Sequence, residues 1–213
     1  MAARLPDGST VEIATAYANA KTLSAISNAS PAVATSAAHG FADGDLIAID
    51  SGWARLDGRI VRVSESTADT FELENINTTS VTHFPAGASA GSAREITAWT
   101  RISQVLEFTT NGGEQQFTNF SYLDEDFERQ LPTMTNAQSI TIGIADDPTL
   151  AGYIALKEAS DAHAVRALRV TLPNGSILLY NGIVSFNETP SMTKGQVMQV
   201  RATFSLQSKH TRY

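Results

Sequence analysis

The stretch 196-QVMQVRATFSLQ-207 alternates strictly. Met198, Val200, Ala202, Phe204 and Leu206 fall on one side, and Gln199, Arg201, Thr203 and Ser205 on the other. Successive side chains of an extended chain point to opposite faces, so this segment is a long strand with one dry and one wet face. A strand of that kind belongs to an antiparallel sheet packed on one side only.

The same pattern recurs upstream. Ser139–Ala145 sets Ile140, Ile142 and Ile144 against Ser139, Thr141 and Gly143. Leu168, Val170 and Leu172 repeat it before Pro173-Asn174-Gly175-Ser176, where Asn-Gly tolerates the positive φ of a tight hairpin turn. The chain then returns through Ile177–Phe186. One helix interrupts the strands. Asp147 precedes Pro148 as N-cap and first-turn residue, and Leu150 to Ala162 follows, rich in Ala, Leu, Lys and Glu. Its small alanines suit close packing on a sheet. The fold class is therefore mainly β (α+β), with one helix flanking an antiparallel sheet.

Residues 29–80 read differently. Short strand candidates at Val33, Leu46–Asp50, Arg59–Val63 and Thr70–Leu73 are separated by the turn dipeptides His39-Gly40, Asp43-Gly44, Ser51-Gly52 and Asp57-Gly58. Eight acids and three arginines give this segment a net charge of −5, against −2 for the rest of the chain. It reads as a small acidic all-β module at 29–81 inserted into a discontinuous domain of residues 1–28 and 82–213, with Val81–Ala93 as exit linker. After Glu188 no acid occurs, while Lys194, Arg201, Lys209 and Arg212 do. Opposite charges gathered at different ends suit head-to-tail self-association.

Composition narrows the function. The 213 residues contain no cysteine, which excludes disulfides, thiolate metal sites and a cysteine nucleophile. Neither a signal-peptide core nor a membrane-spanning run is present, so folding in the cytoplasm is expected. The net charge of −7 argues against a nucleic-acid-gripping protein. His39, Asp43 and Asp45 lack the oxygen ligands and bidentate Glu of a calcium loop, so turn chemistry explains them better. His83 and His163 have no histidine at ligand spacing, and His210 lies in a polar tail. Asp124-Glu125-Asp126 with Glu128 is a run of acids in a polar segment rather than a carboxylate pair at controlled separation. No catalytic residue, cofactor or metal is expected.

The segment Phe108–Thr135, FTTNGGEQQFTNFSYLDEDFERQLPTMT, carries aromatics among polar neighbours. It either holds irregular strands or is a loop that orders against a partner, since a structureless connection this long is unusual in a compact domain.

Several short motifs carry a resemblance. Asn111-Gly-Gly-Glu-Gln-Gln-Phe117, Leu123-Asp-Glu-Asp126, Arg129-Gln-Leu-Pro-Thr133, Ala137-Gln-Ser-Ile-Thr141, Asp146-Asp-Pro148, Leu172-Pro-Asn-Gly-Ser176, Leu179-Tyr-Asn-Gly-Ile-Val-Ser-Phe186 and Pro190-Ser-Met-Thr-Lys-Gly-Gln-Val197 resemble, in order, tail tube proteins of phages with long non-contractile tails. Residues 31–77 separately resemble a small β-module recurring in phage structural proteins, through Ala38-His-Gly-Phe41, Gly44-Asp45, Leu56-Asp-Gly-Arg59 and Asp69-Thr-Phe-Glu-Leu73.

The resemblance implies an antiparallel β-sandwich that forms hexameric rings, with inner strands closing into a continuous barrel and rings stacking into a DNA conduit. It implies a place in the virion tail, with itself, the tape measure protein and the tail terminator and distal tail proteins as partners, and no membrane. Phe117, Phe120, Tyr122, Asp124, Asp126, Phe127 and Arg129 are then expected at the subunit interface. The wet face of 196–207 is a candidate for the bore, with Arg201 an awkward fit because phosphate-binding cations would hinder DNA. The rivals are a surface protein binding a glycan or envelope component, with Trp53 stacking a sugar, a hydrolase using the acids near Asp124, and the tube of a contractile tail or secretion system.

Overall fold

A computed structural model describes residues 7–213. The strands run β1 Thr10–Tyr17, β2 Lys21–Leu23, β3 Ala25–Ile26, β4 Ala32–Thr35, β5 Leu46–Ser51, β6 Ile60–Ser64, β7 Thr70–Leu73 and β8 Gly91–Ile102. They continue with β9 Val105–Asn111, β10 Gln115–Phe120, β11 Arg129–Thr135 and β12 Ser139–Ala145. The helix α1, Ala151–Asp161, precedes β13 Val165–Thr171, β14 Ile177–Ser191, β15 Gln199–Leu206 and β16 Thr211–Arg212. The molecule is mainly β, and every strand pairing is antiparallel.

The strands follow one curled, sandwich-like path in the order β3-β4-β7-β6-β5-β8-β1-β13-β14-β15-β12-β9, with β16 added to β14 and β2 to β8. Only β10 and β11 stand apart, as a two-stranded sheet of their own. The period-two pattern sets the packing. Ile140, Ile142, Ile144, Leu168, Val170, Val200, Ala202 and Phe204 all turn to the face that α1 covers, where they form the largest core with Tyr153 and Leu156. The helix lies close to the sheet. A Cβ on Gly152 would sit 2.7 Å from the Arg101 carbonyl oxygen and 2.8 Å from the Ile102 Cα. Tyr153 meets Phe186 edge-on, with ring centroids 4.8 Å apart.

A second core gathers Trp53, Leu56, Phe71, Leu73 and Ile76 of the acidic segment with Leu23 and Ile26 before it and Phe84 and Ala93 after it. The stretch expected as exit linker thus contributes buried residues, because Phe84 packs on Trp53. A third cluster, Ala14, Leu46, Ile60, Ile96, Ala167 and Leu179, lies where the two bodies meet. The chain's end straps that junction. The Tyr213 hydroxyl accepts a hydrogen bond from the Arg62 amide at 2.7 Å and donates to the Glu74 carbonyl at 3.2 Å. The Arg62 guanidinium lies 4.3 Å from the Tyr213 ring centre and pairs with the Glu74 carboxylate.

Three local expectations need correction. The helix is capped by Leu150 without a side-chain bond, and Asp147 instead accepts from the Thr149 amide at 3.1 Å and from its hydroxyl. Asp147 lies too early in the chain to reach the first turn, so it closes the turn before the helix. At Pro173–Ser176 only Gly175 has a positive φ, +83°, and the Gly175 amide donates to the Leu172 carbonyl. The loop is a turn followed by a left-handed glycine rather than two left-handed residues. The last long strand begins at Gln199 rather than Gln196, and Met198 is substantially exposed.

Candidate subunit interface

The segment that resisted assignment is built of strands. β9 pairs with β12 in register from Asn111↔Ser139 to Phe108↔Ile142. Beyond it the same two chain segments continue as β10 and β11, paired from Gln115↔Thr135 to Phe120↔Arg129. The whole of 105–145 is therefore one long hairpin whose outer half leaves the sheet. It bends at Gly112 and Gly113, both with positive φ, where a Cβ on Gly112 would collide with the Ala137 carbonyl. At about 3.3 Å per residue the outer half reaches roughly 20 Å.

This arm buries almost nothing of its own. Every residue of β11 is exposed, and all of β10 but Phe120. Phe117, Tyr122, Leu123, Phe127, Leu131 and Met134 each leave more than half of their surface exposed. An isolated two-stranded hairpin is at best marginally stable in water, and contiguous exposed apolar groups mark an interaction surface.

The expected interface residues divide into three groups. Phe120, Tyr122, Phe127 and Arg129 come together at the tip. The Phe120 and Tyr122 rings meet edge-on at 5.6 Å, and the Arg129 guanidinium lies 4.9 Å from the Phe127 ring and 5.6 Å from that of Tyr122. Glu125 pairs with Arg129, and Asn119 donates to Glu128 at 3.1 Å. The tip thus has a defined shape in the single chain. Phe117 stands apart on β10 opposite Pro132. Asp124 and Asp126 are exposed in the connecting turn.

Sequence reasoning did not single out Leu131 and Met134 on the arm, nor Met192, Val197 and Met198, which are exposed in the loop between β14 and β15. Their signal was an apolar side chain among polar neighbours, the same one that singled out the aromatics.

Other expected chemistry resolves into structure. Asp45 accepts from the Ala42 amide at 2.7 Å and closes its own turn, while Asp43 accepts from the Ser66 amide at 2.8 Å and ties that turn to the loop after β6. His39 is buried against Phe41 and Phe71, its Nδ1 accepting from the Phe41 amide at 3.0 Å. Trp53 is 2% exposed and donates to the Pro85 carbonyl at 2.8 Å, so its ring offers no face for stacking a sugar. Among the described residues no helix is long and apolar enough to cross a membrane.

The main sheet also ends openly. Among the described residues β9 pairs only with β12, leaving its outer edge to offer backbone donors and acceptors. The arm with its exposed apolar groups thus grows from that edge strand. No curated protein matches the chain. Residues 51–213 match the family model described as phage tail tube protein, TTP.

Proposed function

The chain belongs to the phage tail tube protein family, a structural component of the phage tail, and we propose that it builds the tube of a long non-contractile tail. Copies close edge to edge into hexameric rings, and the rings stack into the conduit through which the genome is ejected. The observation that carries this reading is the arm. It is ordered in backbone yet buries no core, and it grows from the open edge strand β9. Ring closure removes that edge, and stacking gives the arm aromatics a surface to cover.

In this reading Phe117, Phe120, Tyr122, Asp124, Asp126, Phe127 and Arg129 meet a neighbouring copy. The acidic module of residues 29–81 is displayed outside the tube. The tape measure protein and the tail terminator and distal tail proteins bound the assembly along its length. DNA passes without sequence-specific binding, and no reaction is catalysed. Assembly takes place in the host cytoplasm.

Two measurements test the proposal. Electron microscopy of the concentrated protein is expected to show hollow rods. Limited proteolysis is expected to cut 108–135 in the free subunit and spare it in the rods, and equal cutting in both states would refute the role given to the arm.

A further inference from the structure

The face of the sheet turned away from α1 is built in rows. β9, β12, β15 and β14 align Thr109, Thr141, Thr203 and Ser185 across four strands. The next row aligns Glu107, Gly143, Arg201 and Asn187. On the reverse side the same strands present Phe108, Ile142, Ala202 and Phe186 to the core. A row of hydroxyls and a second polar row are thus backed by a packed core.

Arg201 is the one cation in these two rows. Its charge is met inside the face itself. Arg201 and Glu107 are each the register partner of Gly143, on opposite sides of it. Gly143 has no side chain, so the Gln199 carboxamide settles over it, and the Arg201 guanidinium and Glu107 carboxylate come to 3.7 Å beside that amide. Both groups are largely exposed, at 61% and 44%, so the pair adds little to stability. Its effect is on the potential of the surface. A lone arginine on a hydroxyl face would attract phosphate, and a carboxylate beside it offsets that attraction.

We infer that Glu107 serves to quench Arg201, and that this hydroxyl face lines the bore as a surface along which DNA phosphates slide without lodging. The inference rests on the tube reading above and adds the wall and the device that keeps it neutral. The surface around β1, β8 and β13 differs: Arg94 and Arg166 both lie over the Tyr17 ring, and Arg169, paired with Glu12 at 2.7 Å, lies over Trp99, which makes an aromatic and arginine-bearing surface rather than a hydroxyl one.

The test uses assembled tubes and a short fluorescent DNA duplex in co-sedimentation. Glu107→Gln tubes are expected to retain the duplex on the order of tenfold more strongly than wild type at low salt, with retention falling steeply as salt rises. The double variant Glu107→Gln with Arg201→Gln is expected to return to the wild-type level, which a merely structural role for Glu107 would not produce. Equal retention by wild type and Glu107→Gln would overturn the inference, as would retention that persists in the double variant.

Thiol labelling gives an independent readout, since the chain has no cysteine of its own. Thr203→Cys in tubes is expected to react with a small maleimide and to resist a maleimide carried on a folded protein too wide for the bore. Reaction with both places the face outside, and reaction with neither places it in a subunit contact. Either result refutes the inference while leaving the tube standing. Wild-type protein that forms no tube refutes the underlying reading instead.

Discussion

Replacing Phe117 by alanine separates assembly from folding. Phe117 keeps 55% of its surface exposed in the single chain. A phenylalanine has about 200 Å² to bury, so about 110 Å² awaits a partner. At about 25 cal/mol per Å² its burial is worth roughly 2.7 kcal/mol at most. Alanine retains part of that area, so the expected loss is about 2 kcal/mol per subunit contact, on the order of 30-fold in the association constant. The folded subunit should hardly notice, because exposed substitutions away from special features fall within about 0.5 kcal/mol. The assay is the concentration at which tubes first pellet, read beside a thermal melt of the unassembled subunit. An unchanged assembly threshold would refute the interface role. A melting temperature lowered by several degrees would show instead that the arm stabilises the subunit.

Gly152→Ala is expected to destabilise the subunit by about 1–3 kcal/mol, because the new Cβ meets backbone that cannot move aside. A melt unchanged or raised, as alanine's helix propensity alone would predict, would refute the close helix–sheet contact. Tyr213→Phe leaves the Arg62 amide without its partner and is expected to cost about 1–3 kcal/mol, read as a lower melting temperature and faster amide exchange at Arg62. The hydrogen bond from Arg62 holds the Glu74 carboxyl below its ordinary range, against a smaller opposing effect of burial. A depressed folded-state value means that this stabilisation is present above the ordinary glutamate pKa of about 4.3 and is lost as pH falls through the folded value below it. Melts taken from pH 5 to pH 3 should therefore fall more steeply for wild type than for Glu74→Gln, and parallel curves would refute the coupling.

How far the fold was legible depended on periodicity. Ile140, Ile142, Ile144, Val200, Ala202 and Phe204 announced their strands because a half-buried strand must alternate, and all six lie in one core. The arm was not legible in that way. A hairpin exposed on both faces has no dry side, so β10 and β11 leave no period-two signature. β2, β3 and β16 were missed because two or three residues carry no pattern. The helix cap was misplaced because Asp147-Pro148 fits an N-cap and a preceding turn equally well.

By itself the sequence determined a thiol-free β-protein with one helix, an acidic segment, and aromatics in a stretch with no core of its own to join. Those properties depend on local spacing and composition, which the chain carries before it folds. Only the tertiary structure decided that Trp53 is closed off by Phe84 and Pro85, that the aromatic stretch is an arm extending from the edge strand β9, and that Arg201 meets Glu107 beside Gly143. Each of those facts depends on residues distant in the chain being brought together by strand register, and register is set by the packing of the whole sheet.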